Sequence, residues 1–202
     1  ALWSGETVTW RGQTCALDAA RLGMGPQDIR IWIAARGPML LGLAGERADG
    51  VVLTVKPDLG AALAMVTEAA IGAGREPPSR IYLGRVCYTP ELLEGQSRTL
   101  SYVLMDSPQR VLSSLGFDAA DIAVVRRAVE TNRPELIDPL VTDELLRRYQ
   151  VAGTPAECTA QLAELRATQD LDVVLIDVLS ANLEENIALI HESYPILTGA
   201  PA

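Results

Sequence analysis

Histidine and lysine each occur once in this 202-residue chain, as His191 and Lys56, and cysteine three times, as Cys15, Cys87 and Cys158. A single histidine cannot build a His-rich metal cluster. Three scattered cysteines fit neither a disulfide framework nor a zinc site with close ligand pairs. Aromatic residues make up only 4% of the chain, too few for a stacking platform along single-stranded nucleic acid. Basic residues are outnumbered, 17 Lys+Arg against 26 Asp+Glu, leaving a net charge of -9, whereas a nucleic-acid binder needs a basic face for the phosphates. No apolar run approaches the ~20 residues of a membrane span, and nothing at the start reads as a signal peptide. Neither GxGxxG nor GxxxxGKS/T occurs, so the dinucleotide fingerprint and the P-loop are both excluded. These absences predict a chain in a reducing, cytoplasmic setting, without metal, nucleic acid or membrane.

What is present is globular. Hydrophobic residues are 49% and charged residues 21%, and 202 residues suffice for one domain over 1–202. Ile31-Trp32-Ile33-Ala34-Ala35 is a short β-forming run and predicts a buried strand. Gly37-Pro38 then opens a helix, with proline in its favoured first position and Leu40, Leu41, Ala44 and Ala48 at helical spacing. Asp49-Gly50 stops it, and Val51-Val52-Leu53-Thr54 is the next buried strand. Strand, helix, strand with short connections is a βαβ unit, so these strands should be parallel.

The alternation continues. Asp58 can cap a helix bearing Leu59, Leu63, Val66 and Ala70, ended by Gly72 and Gly74, and Ile81 to Val86 is a third strand. From about 90 to 150 the apolar spacing is helical throughout, which predicts several inserted helices. Thr154-Pro155-Ala156-Glu157 is a capping box that starts a helix carrying Cys158, Leu162 and Leu165. Val173 to Ile176 is a fourth buried strand, and a last helix runs from Leu183 to Tyr194, where Pro195 stops it. The fold class is α/β with four parallel strands. The pattern fits an open doubly wound sheet or part of a barrel equally.

In either arrangement ligands bind beyond the carboxyl ends of the strands. After the first strand, Ala35-Arg36-Gly37-Pro38-Met39 leads directly into a helix whose free N–H groups and dipole favour an anion. A plain tight βα turn uses the same Gly-Pro pair. Lys56, after the second strand, could meet an anionic group or lie solvated in a loop. Cys87, after the third, reads more readily as a buried inert thiol than as a site residue. Asp177, after the fourth, is either an acid or a loop cap. His191 lacks the partners that catalysis needs, and Glu184-Glu185 reads as a solvated helix start.

The run from Ile31 to Leu40 (IWIAARGPML), with Leu43-Ala44-Gly45-Glu46-Arg47-Ala48-Asp49-Gly50-Val51 behind it, resembles the central segment of the bacterial luciferase-like monooxygenase family. Its deazaflavin (coenzyme F420)-dependent branch, which includes methylenetetrahydromethanopterin reductases, is the most similar. Leu2 to Val8 with Gly12 resembles the segment that precedes this one, Val151 to Cys158 the last-unit helix start, and Asn182 to Leu197 the closing helix. The resemblance implies a (β/α)8 TIM barrel with its cofactor at the carboxyl ends of the strands. It implies that Ala35, Arg36, Gly37, Pro38 and Met39 bind that cofactor, largely through backbone N–H groups near its phosphate. The Gly-Pro form favours coenzyme F420, with FMN as the alternative. Lys56 falls near a substrate-phosphate lysine of sugar-phosphate-oxidising members, and so reads as substrate-binding.

Two departures qualify the resemblance. Nothing here matches the catalytic acidic residues, the histidine or the strained peptide of the family's N-terminal half. A barrel needs about 250 residues and eight strands, against the four read here. The expectation is therefore the C-terminal half of such a barrel, opening at Ala1 without an initiator Met or a clear first element. Its reaction would be hydride transfer between F420 and a small organic substrate. An FMN-dependent monooxygenase and a non-catalytic half-barrel subunit are the alternatives. The implied partner is a second copy in a homodimer or an N-terminal half.

Overall fold

The computed structural model describes residues 1–178, 180 and 182–199, and the chain, read from sequence as one domain, divides into two compact units, residues 1–31 and residues 32–202. The first unit is a hairpin where the sequence showed no clear element. Strand β1 (Val8–Arg11) pairs antiparallel with β2 (Ala16–Ala20), Trp10 facing Leu17. Gly12 closes the turn with its N–H on the Cys15 carbonyl at 2.9 Å. The Trp10 ring lies over Gly12, where a Cβ would come within 2.1 Å of it. Ala16-Leu17-Asp18-Ala19-Ala20 has neither β-branched residues nor apolar alternation, so the strand is made by backbone pairing that propensity does not announce.

The second unit is built on a four-stranded parallel sheet in the order β3 (Trp32–Ala34), β4 (Gly50–Leu53), β5 (Ser79–Gly84), β8 (Val173–Ile176). Helix α1 (Pro38–Arg47) connects β3 to β4 and α2 (Leu59–Gly72) connects β4 to β5, the expected βαβ grammar. The two helices meet at Gly45, where a Cβ would lie 2.3 Å from the Val66 carbonyl oxygen. Leu41, Ala44, Val51, Leu53, Leu63, Val66 and Tyr82 form the core between these helices and one face of the sheet.

Several expectations need correction. The third strand stops at Gly84 rather than Val86. Beyond Arg85 the chain leaves the sheet, and β6 (Val86–Cys87) pairs parallel with β7 (Val151–Ala152) in a separate two-stranded sheet. The first and fourth strands are not fully buried. They are the outer strands of the sheet, and Trp32 is 49% exposed, Val173 39% and Leu175 40%. Pro195 does not stop the last helix. Helix α9 (Leu183–Thr198) runs through it to Gly199, whose φ of +67° and N–H bond to the Pro195 carbonyl close the end. Asp58 precedes α2 but its side chain does not cap it.

The stretch after β6 is helical, as the spacing predicts: α3 (Pro90–Glu94), α4 (Ser97–Met105), α5 (Gln109–Ser114), α6 (Ala119–Thr131) and α7 (Asp143–Tyr149). It carries its own core of Leu100, Leu104, Val111, Leu112, Val125, Ile137 and Leu146. Helix α8 (Pro155–Thr168) begins with the predicted capping box, the Thr154 hydroxyl accepting from the Glu157 N–H and Glu157 accepting from the Thr154 N–H. Among the described residues no helix is long and apolar enough to cross a membrane.

Candidate functional site

Because β3, β4, β5 and β8 are parallel, their carboxyl ends gather at one edge of the sheet. A cleft of about 490 Å³ opens there. One wall is the chain after β3, with Ala34, Ala35, Arg36, Gly37 and Leu40, joined by Thr54 after β4. The other is the α4–α5 loop, Met105 to Pro108.

Helix α1 points its N-terminus at this cleft. Gly37 is its N-cap, Pro38 its first residue, and no side chain caps the end. The N–H groups of Gly37, Met39 and Leu40 have no carbonyl within the helix to meet, and Pro38 has no N–H to leave unmet. Gly37 is extended, at φ −83° and ψ 149°, and a Cβ built on it would meet nothing within 4 Å. Neither backbone strain nor packing calls for glycine at this position. Its missing side chain keeps the cleft open against the helix end, a space a Cβ would partly fill. Met39 is 86% exposed, and of the five loop residues expected to bind the cofactor Ala35, Arg36 and Gly37 line the cleft while Pro38 and Met39 do not.

The charges around the cleft are paired. The Arg36 guanidinium donates to the Val103 carbonyl and to the Asp106 carboxylate, both at 3.1 Å. The carbonyl of Arg36 in turn accepts from Arg110 at 2.9 Å, and Arg110 also forms an ion pair with Asp58. Burial pushes the Asp58 carboxyl above its ordinary pKa, while the Arg110 guanidinium pulls it back down. Each arginine thus has its own carboxylate, and the unbalanced positive end belongs to the helix.

The structure does not place Lys56 in the wall of this cleft with Ala35, Arg36 and Gly37. Thr54 lines the cleft; two residues on, Lys56 turns its ammonium to the end of α7. Nζ donates to the Arg147 carbonyl at 3.1 Å, to the Gln150 carbonyl and to the Gln161 side chain at 3.2 Å. Burial pushes its pKa down to about 8, against the opposing pull of Cys158, Glu164 and Cys87. Cys87 and Cys158 are both buried, and burial raises their thiols to about 12 and about 11. Asp177 pairs with Arg85 at 3.2 Å, and His191 is exposed on α9.

Sequence reasoning missed the far wall of the cleft. Asp106, Ser107 and Pro108 lie in a stretch read only as helical. The Asp-Ser-Pro run between two apolar periodicities is a turn signal that marks the loop, although not what it faces. Arg110 carries no local signal, because its partners lie 52 and 74 residues away.

With the geometry in place, the likeness to known proteins is informative. Residues 1–170 match the luciferase-like monooxygenase family. The chain is 27% identical over 195 residues to the 5,10-methylenetetrahydromethanopterin reductase of Methanolobus tindarius, a match covering 93% of this chain and 60% of that protein. Among solved structures it is similar to the coenzyme F420 dependent tetrahydromethanopterin reductase from Methanopyrus kandleri, with a TM-score of 0.68 at 22% identity, covering 94% of this chain and 57% of that one. It is also similar to an F420-dependent secondary alcohol dehydrogenase in complex with an F420-acetone adduct, with a TM-score of 0.66 at 19% identity, covering 97% and 58%. The chain therefore spans about 60% of the length of such relatives, and the likeness to the solved structures is one of fold.

Proposed function

The chain belongs to the luciferase-like monooxygenase family, and we propose that it is the part of an F420-dependent oxidoreductase that holds the phosphate-bearing region of the cofactor. The observation that carries this reading is the uncapped N-terminus of α1, opening on a cleft kept clear by Gly37. The backbone N–H groups of Gly37, Met39 and Leu40 would hold a phosphate oxygen, with Ala35 and Pro38 shaping the turn. Arg36 would meet the same anion by releasing Asp106. F420-dependence named for two solved structures of this fold supports the choice of cofactor.

When bound, coenzyme F420 would supply the hydride chemistry on a small organic substrate, and this chain's residues would bind and orient it. In this reading Lys56 reaches a substrate only by giving up its bonds to Arg147, Gln150 and Gln161. Its part is to fix the loop after β4, which carries Thr54 into the cleft. The half-exposed apolar residues of β3 and β8 support a covering partner, a second copy or an N-terminal half.

The test is a fluorescence titration of the protein with F420 and with FMN. Trp32 is the reporter, two residues before Ala34, which lines the cleft. Saturable quenching by F420 is expected. Saturable FMN binding with no response to F420 would overturn the cofactor assignment.

A further inference from the structure

We propose that Arg110 is the positioning residue of the cofactor loop: by holding the Arg36 carbonyl it fixes the direction of the Gly37 N–H. The proposal rests on the F420 reading and adds to it a residue from the inserted helices.

The geometry begins with a single peptide unit. In a planar trans peptide the C=O of one residue and the N–H of the next point in opposite directions. The Arg36 carbonyl accepts from Arg110 Nη2 at 2.9 Å, so the Gly37 N–H is aimed away from Arg110. Gly37 lines the cleft, and Arg110 does not. Rotating this peptide would swing the N–H out of line with those of Met39 and Leu40. The bond to Arg110 opposes that rotation, and a hydrogen bond from a charged donor is among the stronger ones available.

Arg110 is itself held. Its other terminal nitrogen pairs with Asp58, whose side chain is only 5% exposed. Its Nε is buried without a hydrogen-bond partner among the described residues. The fork is therefore spent on two targets, one before α1 and one before α2. Lysine cannot substitute, because a point ammonium lacks the planar fork that reaches both at fixed angles. Asp58, read from the sequence as a helix cap, serves instead as the anchor that sets Arg110.

The experiment follows backbone resonances of isotopically labelled protein, in wild type and variants, before and after addition of F420. In wild type, F420 is expected to move the amides of Gly37, Met39 and Leu40. Arg110→Ala should weaken F420 binding by about tenfold. It should abolish the response of Gly37 while Met39 and Leu40 still respond, and shift the Arg36 carbonyl carbon before any ligand is added. A merely structural role would move all three amides together. Arg110→Lys should fail to restore the Gly37 response. Asp58→Asn, which keeps the fork but loosens its anchor, should show the same selective loss in weaker form and serves if Arg110→Ala does not fold. Wild-type affinity and a wild-type Gly37 response in Arg110→Ala would overturn the proposal and leave the cofactor reading intact. If wild type itself shows no response at these amides, the cofactor reading falls. An Arg36 carbonyl resonance unchanged in Arg110→Ala would then overturn the positioning contact independently.

Discussion

The Arg36 guanidinium meets the Asp106 carboxylate at 3.1 Å in the wall of the cleft, with the Arg36 side chain 25% exposed and that of Asp106 81% exposed. The carboxylate stands where an incoming phosphate would seek the same guanidinium. An exposed ion pair of this kind contributes at most about 1 kcal/mol, so it yields readily to a better partner. Asp106→Asn removes a competing negative charge from the cleft. It should tighten F420 binding by about 2- to 5-fold at low salt, with the gain fading as salt is raised. Calorimetric titration at two salt concentrations checks both the direction and the salt dependence.

Two glycines of the α1 region should separate function from packing. Gly37 faces open space, and Gly45 faces the backbone of α2. Gly37→Ala is expected to change stability by less than about 1 kcal/mol, since alanine is a poorer N-cap but costs the unfolded chain less entropy. It should nevertheless weaken F420 binding, because the new methyl enters the cleft. Gly45→Ala forces a methyl to 2.3 Å from the Val66 carbonyl oxygen and should cost about 1–3 kcal/mol. Urea unfolding and F420 titration of both variants should give this crossed pattern.

Lys56 makes a pH prediction with a definite sign. Its pKa falls from 10.5 in the unfolded chain to about 8 in the fold, because burial disfavours the ammonium. Between those values the unfolded state binds the extra proton, so stability gains as pH rises. The penalty on the charged form is fully present below about pH 8 and is relieved by about 10.5. Cys87 and Cys158 act oppositely. Their folded pKa values of about 12 and about 11 exceed the ordinary 9.0, so thiolate formation favours unfolding above pH 9. Lys56→Met lacks the ammonium that pulls both thiols down, so their opposing effect is no smaller in the variant than in wild type. The difference in urea midpoint, wild type minus variant, should therefore rise from pH 8 to 10.5.

The cysteines should also differ in access. Cys15 is exposed and Cys87 and Cys158 are buried. A thiol reagent at neutral pH should titrate one group quickly in the native protein and all three after denaturation. Two fast thiols would contradict the packing of Cys87 beneath α3 or of Cys158 at the start of α8.

The parts legible in the sequence were those where local chemistry and tertiary structure agree. Gly37-Pro38 opens a helix wherever the chain puts it, and Val51-Val52-Leu53 makes a central strand, buried at Val51 and Leu53 and half-buried at Val52. The capping box at Thr154 formed as read, because its partners are three residues apart. What escaped depended on distant partners. Asp58 looked like a cap until Arg110, 52 residues on, claimed its carboxylate. Lys56 was read beside an anionic group, and the carbonyls at the end of α7 that accept its hydrogen bonds, 91 and 94 residues on, leave no local mark. The short strands β6 and β7 pair across more than sixty residues and are too brief to show any period. Exposure of β3 and β8 was hidden for another reason: Ile31-Trp32-Ile33 and Val173 to Ile176 are apolar on both faces, and only the strand order shows that they lie on the outside.

The most direct measurement is a crystal structure of the protein with coenzyme F420 bound. Phosphate oxygen is expected within hydrogen-bond distance of the backbone N–H groups of Gly37, Met39 and Leu40, with Arg36 turned from Asp106 toward the ligand and Arg110 still on the Arg36 carbonyl. A phosphate seated away from the N-terminus of α1, at Lys56 for instance, would contradict the account.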